Sequence, residues 1–140
     1  MVKLYLPLPI GNSALITSPD RPGEFVAVHR KEAPDLVCFP GGKLDPNENV
    51  LQAISREVNE ETGLIIPEDK FLPVYAGVCE GAVQEYWVTV YLTQVAGDVQ
   101  LLSPEPEMRP FWTTVDYFMS HTSFPRFNAK VFEAMSQWKW

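Results

Sequence analysis

Between Gly42 and Leu64 a tight turn gives way to a charged, helix-forming run, and this stretch constrains the fold more than any other. Asp45-Pro46-Asn47-Glu48 carries the marks of a helix start. Asp45 is able to cap, Pro46 suits the first helical position, and Glu48 can reach back as the third residue of a capping box. The helix is expected to run to about Thr62, with Gly63 taking the left-handed conformation that ends it. Leu51, Ile54 and Val58 recur at spacings of three and four and form the stripe to be buried. Glu57, Glu60 and Glu61 fall on a neighbouring face, within an arc of roughly 100°. Like charges at such spacings weaken an isolated helix. Hard divalent cations held by carboxylate oxygens would offset the repulsion directly; the blander reading is a solvated acidic face.

Upstream, Leu36-Val37-Cys38 reads as a strand entering Phe39-Pro40-Gly41-Gly42-Lys43, a glycine turn whose backbone can approach phosphate oxygens closely. Alone, Gly41-Gly42 is only a turn signal. Directly before a glutamate helix it becomes one wall of a metal–phosphate site. Lys43 reads either as a point charge for a phosphate or as a solvent-exposed turn lysine.

The intervals are as informative as the residues. Gly42, five residues, Glu48, seven residues and then Arg56-Glu57-Val58-Asn59-Glu60-Glu61-Thr62-Gly63-Leu64 resembles the box of the Nudix family, G-x5-E-x7-R-E-U-x-E-E-x-G-U with U a bulky aliphatic residue. Every fixed position is filled. The resemblance is strict over the motif and looser elsewhere, through the order of strands and helices. It implies a metal-dependent hydrolase acting on a diphosphate joined to another group, with Mg2+ as cofactor and Mn2+ able to substitute. It also implies an α/β/α sandwich around a mixed sheet, in a single domain over 1–140. Glu57, Glu60 and Glu61 become the metal ligands, and Glu60, Arg56 and Lys43 the catalytic set. Arg56 is expected to hold a carboxylate by a charge-assisted hydrogen bond. Glu48 and Gly63 are structural members of the motif. Many family members carry tryptophan where this chain has Val37, so any role for that aromatic is absent.

Chemistry of this class needs a water activated and phosphate charge neutralised, which metal ions and a glutamate base can supply. Family members often recruit a further carboxylate from a downstream loop, and Glu80, Glu85, Glu105 and Glu107 are the candidates. Glu107 opens Glu107-Met108-Arg109-Pro110-Phe111-Trp112, similar to the segment that brings a metal-site glutamate in oxidised-purine nucleoside triphosphatases of the human type. Glu107 is therefore the choice and Glu105 the alternative. Those enzymes read the base with an acidic pair, which Phe124-Pro125-Arg126-Phe127-Asn128 lacks. Asn128 can present an amide to a base edge, and Phe124 or Phe127 can stack on it, or both rings can be core aromatics leading into the last helix. The substrate side is then Gly41, Gly42, Lys43, Phe124, Phe127 and Asn128.

ADP-ribose hydrolases of the family usually carry a proline about fifteen residues past the box, and dinucleoside polyphosphate hydrolases a tyrosine slightly farther on. Here that region reads Cys79-Glu80-Gly81-Ala82. A nucleoside triphosphate pyrophosphohydrolase leads by elimination; ADP-ribose, NDP-sugars and RNA 5′ ends are the alternatives. A nucleotide-sensing module that does not cleave is the reading from another class, although such members usually lose box glutamates.

Composition agrees with a small enzyme that binds a small-molecule nucleotide. Net charge is −7 with no basic stripe, which argues against a nucleic-acid duplex, and no apolar run is long enough for a membrane. Cys38 and Cys79 are far apart in sequence and read as reduced, buried thiols. With no signal-peptide pattern in Met1–Pro7, the expected location is cytoplasmic. The sequence does not fix the oligomeric state; a homodimer is admitted. His29 and His121 are assigned no chemistry. Strands are expected at Ser13–Ser18, Phe25–Lys31, Leu36–Phe39, Phe71–Val78, Gln84–Val95 and Phe111–Val115. A terminal helix is expected at Asn128–Gln137, with Val131 and Met135 on one side.

Overall fold

The computed structural model describes residues 8–105, 107–138 and 140. The expected N-terminal stretch Met1–Pro7 lies outside them. Seven strands form one mixed sheet: β1 (Ile10–Thr17), β2 (Glu24–His29), β3 (Val37–Cys38), β4 (Gly41–Lys43), β5 (Leu72–Glu80), β6 (Glu85–Gln94) and β7 (Pro110–Thr114). Their order is β3-β2-β1-β6-β5, with β4 paired to β1 and β7 to β2. β1 runs parallel to β6 along its whole length, whereas its other edge is shared. At Thr17 it meets β2, and at Gly11–Ser13 it meets β4. The parting of β1 and β2 makes room for the glycine strand.

Alternation along the strands builds two cores. Leu15, Phe25 and Ala27 face one side, where they meet Phe118, Phe127, Val131 and Met135. Ala14, Ile16 and Val26 face the other, against Ile54, Val58, Leu64 and Ile66. A central sheet buried on both faces requires helices on both, which is the α/β/α sandwich expected. The helices are α1 (Val50–Thr62) on one side, with α2 (Val115–His121) and α3 (Pro125–Ala134) on the other. None is long and apolar enough to cross a membrane among the described residues.

α1 begins later than the sequence suggests. Its cap is Asn49, whose side chain accepts from the Gln52 N–H at 2.9 Å while Gln52 answers at the Asn49 N–H, also at 2.9 Å. Asn47 sits at φ 65°, so no helix can pass through it. Asp45–Glu48 instead closes a turn in which the Glu48 carboxylate accepts from the Asp45 N–H at 2.8 Å. The reach-back expected of Glu48 exists, but outside the helix. Gly63 ends α1 at φ 77°, as expected. α2, which Thr114 caps through the Tyr117 N–H, escaped the sequence reading; the expected terminal helix is α3, which starts at Pro125 instead of Asn128 and ends at Ala134.

Candidate active site

Arg56 organises the outer face of α1. Its Nε and Nη2 grip Glu48 at 2.8 and 2.7 Å, a two-pronged contact that pushes the Glu48 carboxyl down to about 2. Nη1 reaches Glu57 at 2.9 Å and Glu60 at 3.2 Å. A second hydrogen bond from Nη2, to the Lys43 carbonyl at 3.4 Å, ties the helix to β4. One guanidinium thus holds two of the three motif carboxylates and the glutamate upstream.

Glu61 lies on the inner face and is buried. Its Oε2 accepts from the Gly41 N–H at 2.7 Å. Burial pushes its carboxyl up to about 8; the Gly41 hydrogen bond opposes this, while Glu57, Glu105 and Glu60 add repulsion. Glu57 is raised by its own burial, against the pull of Arg56. Its carboxylate rests on the next glycine, where a Cβ on Gly42 would come 2.8 Å from Oε1. Only a residue without a side chain lets strand and carboxylate meet. Both backbone donors of the glycine pair are engaged within the protein, the Gly41 N–H by Glu61 and the Gly42 N–H by Asn12 Oδ1 at 3.4 Å.

Glu57 and Glu61, which meet the glycine strand, and Glu60, which shares Arg56 with Glu57, supply hard oxygen donors, and the first two carry protonation costs that a cation would relieve. The donor set fits a metal of the Mg2+ class. Among the described residues no three such groups are already gathered around one point, because Arg56 holds Glu57 and Glu60 while Gly41 holds Glu61.

Glu61, Gly41, Gly42 and Lys43 line a cleft of about 540 Å³. Phe124, Phe127 and Asn128 line the same cleft, together with Val83, Val88 and Met108. Phe127 is both core and wall: it is buried and packs on Tyr75 at 5.6 Å between ring centroids. Phe124 is half-buried beneath the Arg30 guanidinium, 5.4 Å from its ring centre. Asn128 is buried, and its Nδ2 donates to Thr122 Oγ1 at 2.6 Å. Glu105 also lines the cleft, whereas Glu107 is exposed and does not. The loop carrying Glu105 is pinned to the end of α1: Leu102 N–H donates to the Thr62 carbonyl at 2.9 Å and Ser103 Oγ to the Glu60 carbonyl at 2.8 Å. Ser103 Oγ also accepts from the Glu105 N–H at 3.0 Å.

Among the lining residues that the sequence reading did not assign to the site are Asn12, Arg30, Tyr86 and Met108. Asn12 sits in β1, just before Ser13, where the sequence reading starts that strand. It is buried, and its Nδ2 has no partner. Cys38 and Cys79 are free thiols that line the cleft, and burial pushes the Cys38 thiol up to about 12.

Residues 8–135 match the family model described as NUDIX domain, and the chain belongs to that family. It is 34% identical over 76 residues to an ADP-ribose pyrophosphatase of Methanocaldococcus jannaschii, a match covering 53% of this chain and 43% of that protein. The chain therefore spans less than half the length of that relative. Among solved structures, the MutT protein from Methanosarcina mazei Go1 superposes with a TM-score of 0.72 at 24% identity, covering 96% of this chain and 97% of the other. The NUDIX domain of Shewanella oneidensis NrtR, complexed with ADP ribose, gives 0.75 at 15% identity, covering 95% and 89%. At these identities the likeness speaks for the fold.

Proposed function

We propose that the chain is a metal-dependent Nudix pyrophosphohydrolase that cleaves a nucleoside triphosphate to the monophosphate and pyrophosphate. One observation carries this reading: the Glu57 and Glu61 carboxylates meet the Gly41–Gly42 strand, and that strand lines a cleft shared with aromatic side chains. A polyphosphate suits the strand and its carboxylates, and a base suits the aromatic rings.

Glu57, Glu60 and Glu61 would hold a divalent cation, Mg2+ or Mn2+, joined by Glu105 in preference to Glu107. Glu105 lines the cleft and its charge acts on Glu61, which supports it as the fourth carboxylate. Such a cation supplies neutralising charge at the phosphoryl oxygens. Arg56 orients the carboxylates, as its contacts with Glu48, Glu57 and Glu60 suggest. Glu60 is the least confined of the three: it is exposed at its tip and held only at 3.2 Å, which suits a base that must take a proton and release it. Phe124 and Phe127 flank the base and Asn128 offers Oδ1 to its edge, Nδ2 being committed to Thr122. The free thiols agree with a reducing compartment such as the cytoplasm.

ADP-ribose is the second reading, favoured by the name of the Methanocaldococcus relative. Turnover of nucleoside triphosphates, ADP-ribose and NDP-sugars, scored as pyrophosphate against phosphate release with and without chelator, separates the two. Faster cleavage of ADP-ribose than of every triphosphate would reject the first. Full activity in chelator would reject both.

A further inference from the structure

Lys43 ends β4 and pairs with Gly11 of β1, and Gly11 pairs on its other side with Val88 of β6. Paired residues share a face of the sheet, and so do residues two apart along a strand, which places Lys43, Gly11, Val88 and Tyr86 on one side. Gly11 leaves the lane between Lys43 and Tyr86 free of a side chain. Through it the Lys43 ammonium reaches to 5.0 Å from the centre of the Tyr86 ring. The ring is itself fixed. Its hydroxyl accepts from Gln84 Nε2 at 3.3 Å, and its edge lies against Gly81, where a Cβ would come 2.8 Å from Cε2. The hydrogen bond from Gln84 and the nearby lysine both hold the Tyr86 hydroxyl below its ordinary pKa.

The two cations near the glycine strand are differently employed. Arg56 is committed to carboxylates. Lys43 forms no ion pair among the described residues. A flexible, hydrated ammonium loses rotamer freedom when a ligand orders it, and a ring that anchors it beforehand reduces that cost. Lys43 and Tyr86 line the cleft beside Gly41, Gly42 and Glu61.

We propose that Tyr86 is a positioning residue that holds the Lys43 ammonium across Gly11, poised for the outer phosphate of a diphosphate. The identity of that anion rests on the function proposed above; the geometry does not. The test uses the full chain, with Tyr86→Phe, Tyr86→Leu, Lys43→Ala and the Tyr86→Leu/Lys43→Ala double variant, each checked for folding by circular dichroism.

Nuclear magnetic resonance should show the Lys43 Cε protons shifted upfield by the ring in the native chain and in Tyr86→Phe, but not in Tyr86→Leu. Calorimetry with inorganic pyrophosphate in Mg2+ buffer should show binding weakened about two- to tenfold by Tyr86→Leu, with little change in Tyr86→Phe. The double variant should bind no more weakly than Lys43→Ala alone. With a nucleotide, Tyr86→Leu should raise KM by a similar factor and leave kcat within about twofold. Unshifted Lys43 resonances in the native chain, native-like pyrophosphate binding by Tyr86→Leu, or additive losses in the double variant would overturn the proposal. If the binding pattern holds but no nucleotide is cleaved, the positioning role stands and the pyrophosphohydrolase reading falls.

Discussion

At the acidic end of the site, Glu57, Glu60, Glu61, Gly41 and Gly42 come from one short stretch of chain, with Glu57 and Glu60 held by a single arginine and Glu61 by the Gly41 N–H. At the aromatic end, Arg30, Phe124 and Asn128 arrive from the residue after β2 and from the start of α3. The first end is held by charge-assisted hydrogen bonds and backbone contacts at fixed spacing. The second is held by packing, one cation over a ring and one buried amide. A site that depends on charge at fixed intervals tolerates almost no substitution. One that depends on shape can be rebuilt from many residue types. The contrast predicts where chemistry resides and where selectivity does.

The largest effects should come from the acidic end. Glu60→Gln and Glu61→Gln should each lower kcat by about 10²–10⁴-fold while the circular dichroism spectrum stays native. Near-native turnover in either variant would break the comparison at its root. A smaller loss, about 10–100-fold, is expected for Glu105→Gln, because a fourth carboxylate supplements a set already present. Glu107→Gln should cost distinctly less, and the reverse order would restore the residue first chosen from the sequence.

At the aromatic end, Asn128→Ala should alter the ratio of kcat/KM between bases by about tenfold and leave metal dependence unchanged. With no acidic pair there, preference for 8-oxo-dGTP over dGTP should stay below about a thousandfold. A larger ratio would mean that the shape-built end discriminates as sharply as a charged one.

The smallest effect is one of stability. Glu61 titrates at about 8 in the folded chain, against about 4.3 for an unperturbed glutamate. Between those values the folded state binds the extra proton. Stability from this group is therefore full at low pH and lost as pH rises through about 8. The metal-free protein should melt a few degrees lower at pH 9 than at pH 6, and Glu61→Gln should flatten that slope. Scanning calorimetry in chelator, with the two proteins side by side, measures it.

This contrast also explains what could be read before the structure. α1, its glycine stop and its carboxylates were legible because they obey local rules of spacing and capping. The start of the helix was misplaced by local rules too: Asp45-Pro46 satisfies them, but Asn47 turns left-handed and Asn49 caps instead. β4 was read as part of a turn, since three residues become a strand only when β1 offers them an edge. Tyr86 and Arg30 could not be found, because their neighbours in the cleft are remote in sequence. The preference proposed here for Glu105 over Glu107 rests on the lining of the cleft and on the hydrogen bonds of Leu102 and Ser103 to the end of α1, which are tertiary facts.

Gly63 does more than end a helix. A Cβ there would lie 2.2 Å from the Leu102 carbonyl oxygen, so the stop of α1 and the loop that brings Glu105 are in direct contact. With Leu102 and Ser103 also bonded to the carbonyls of Thr62 and Glu60, the last turn cannot unwind while the loop stays docked. Helix end and loop form one opening unit. Their amides should exchange with solvent at a common rate, and a bulky residue at position 63 should quicken both together, thereby disconnecting the downstream carboxylate without touching a single acidic group.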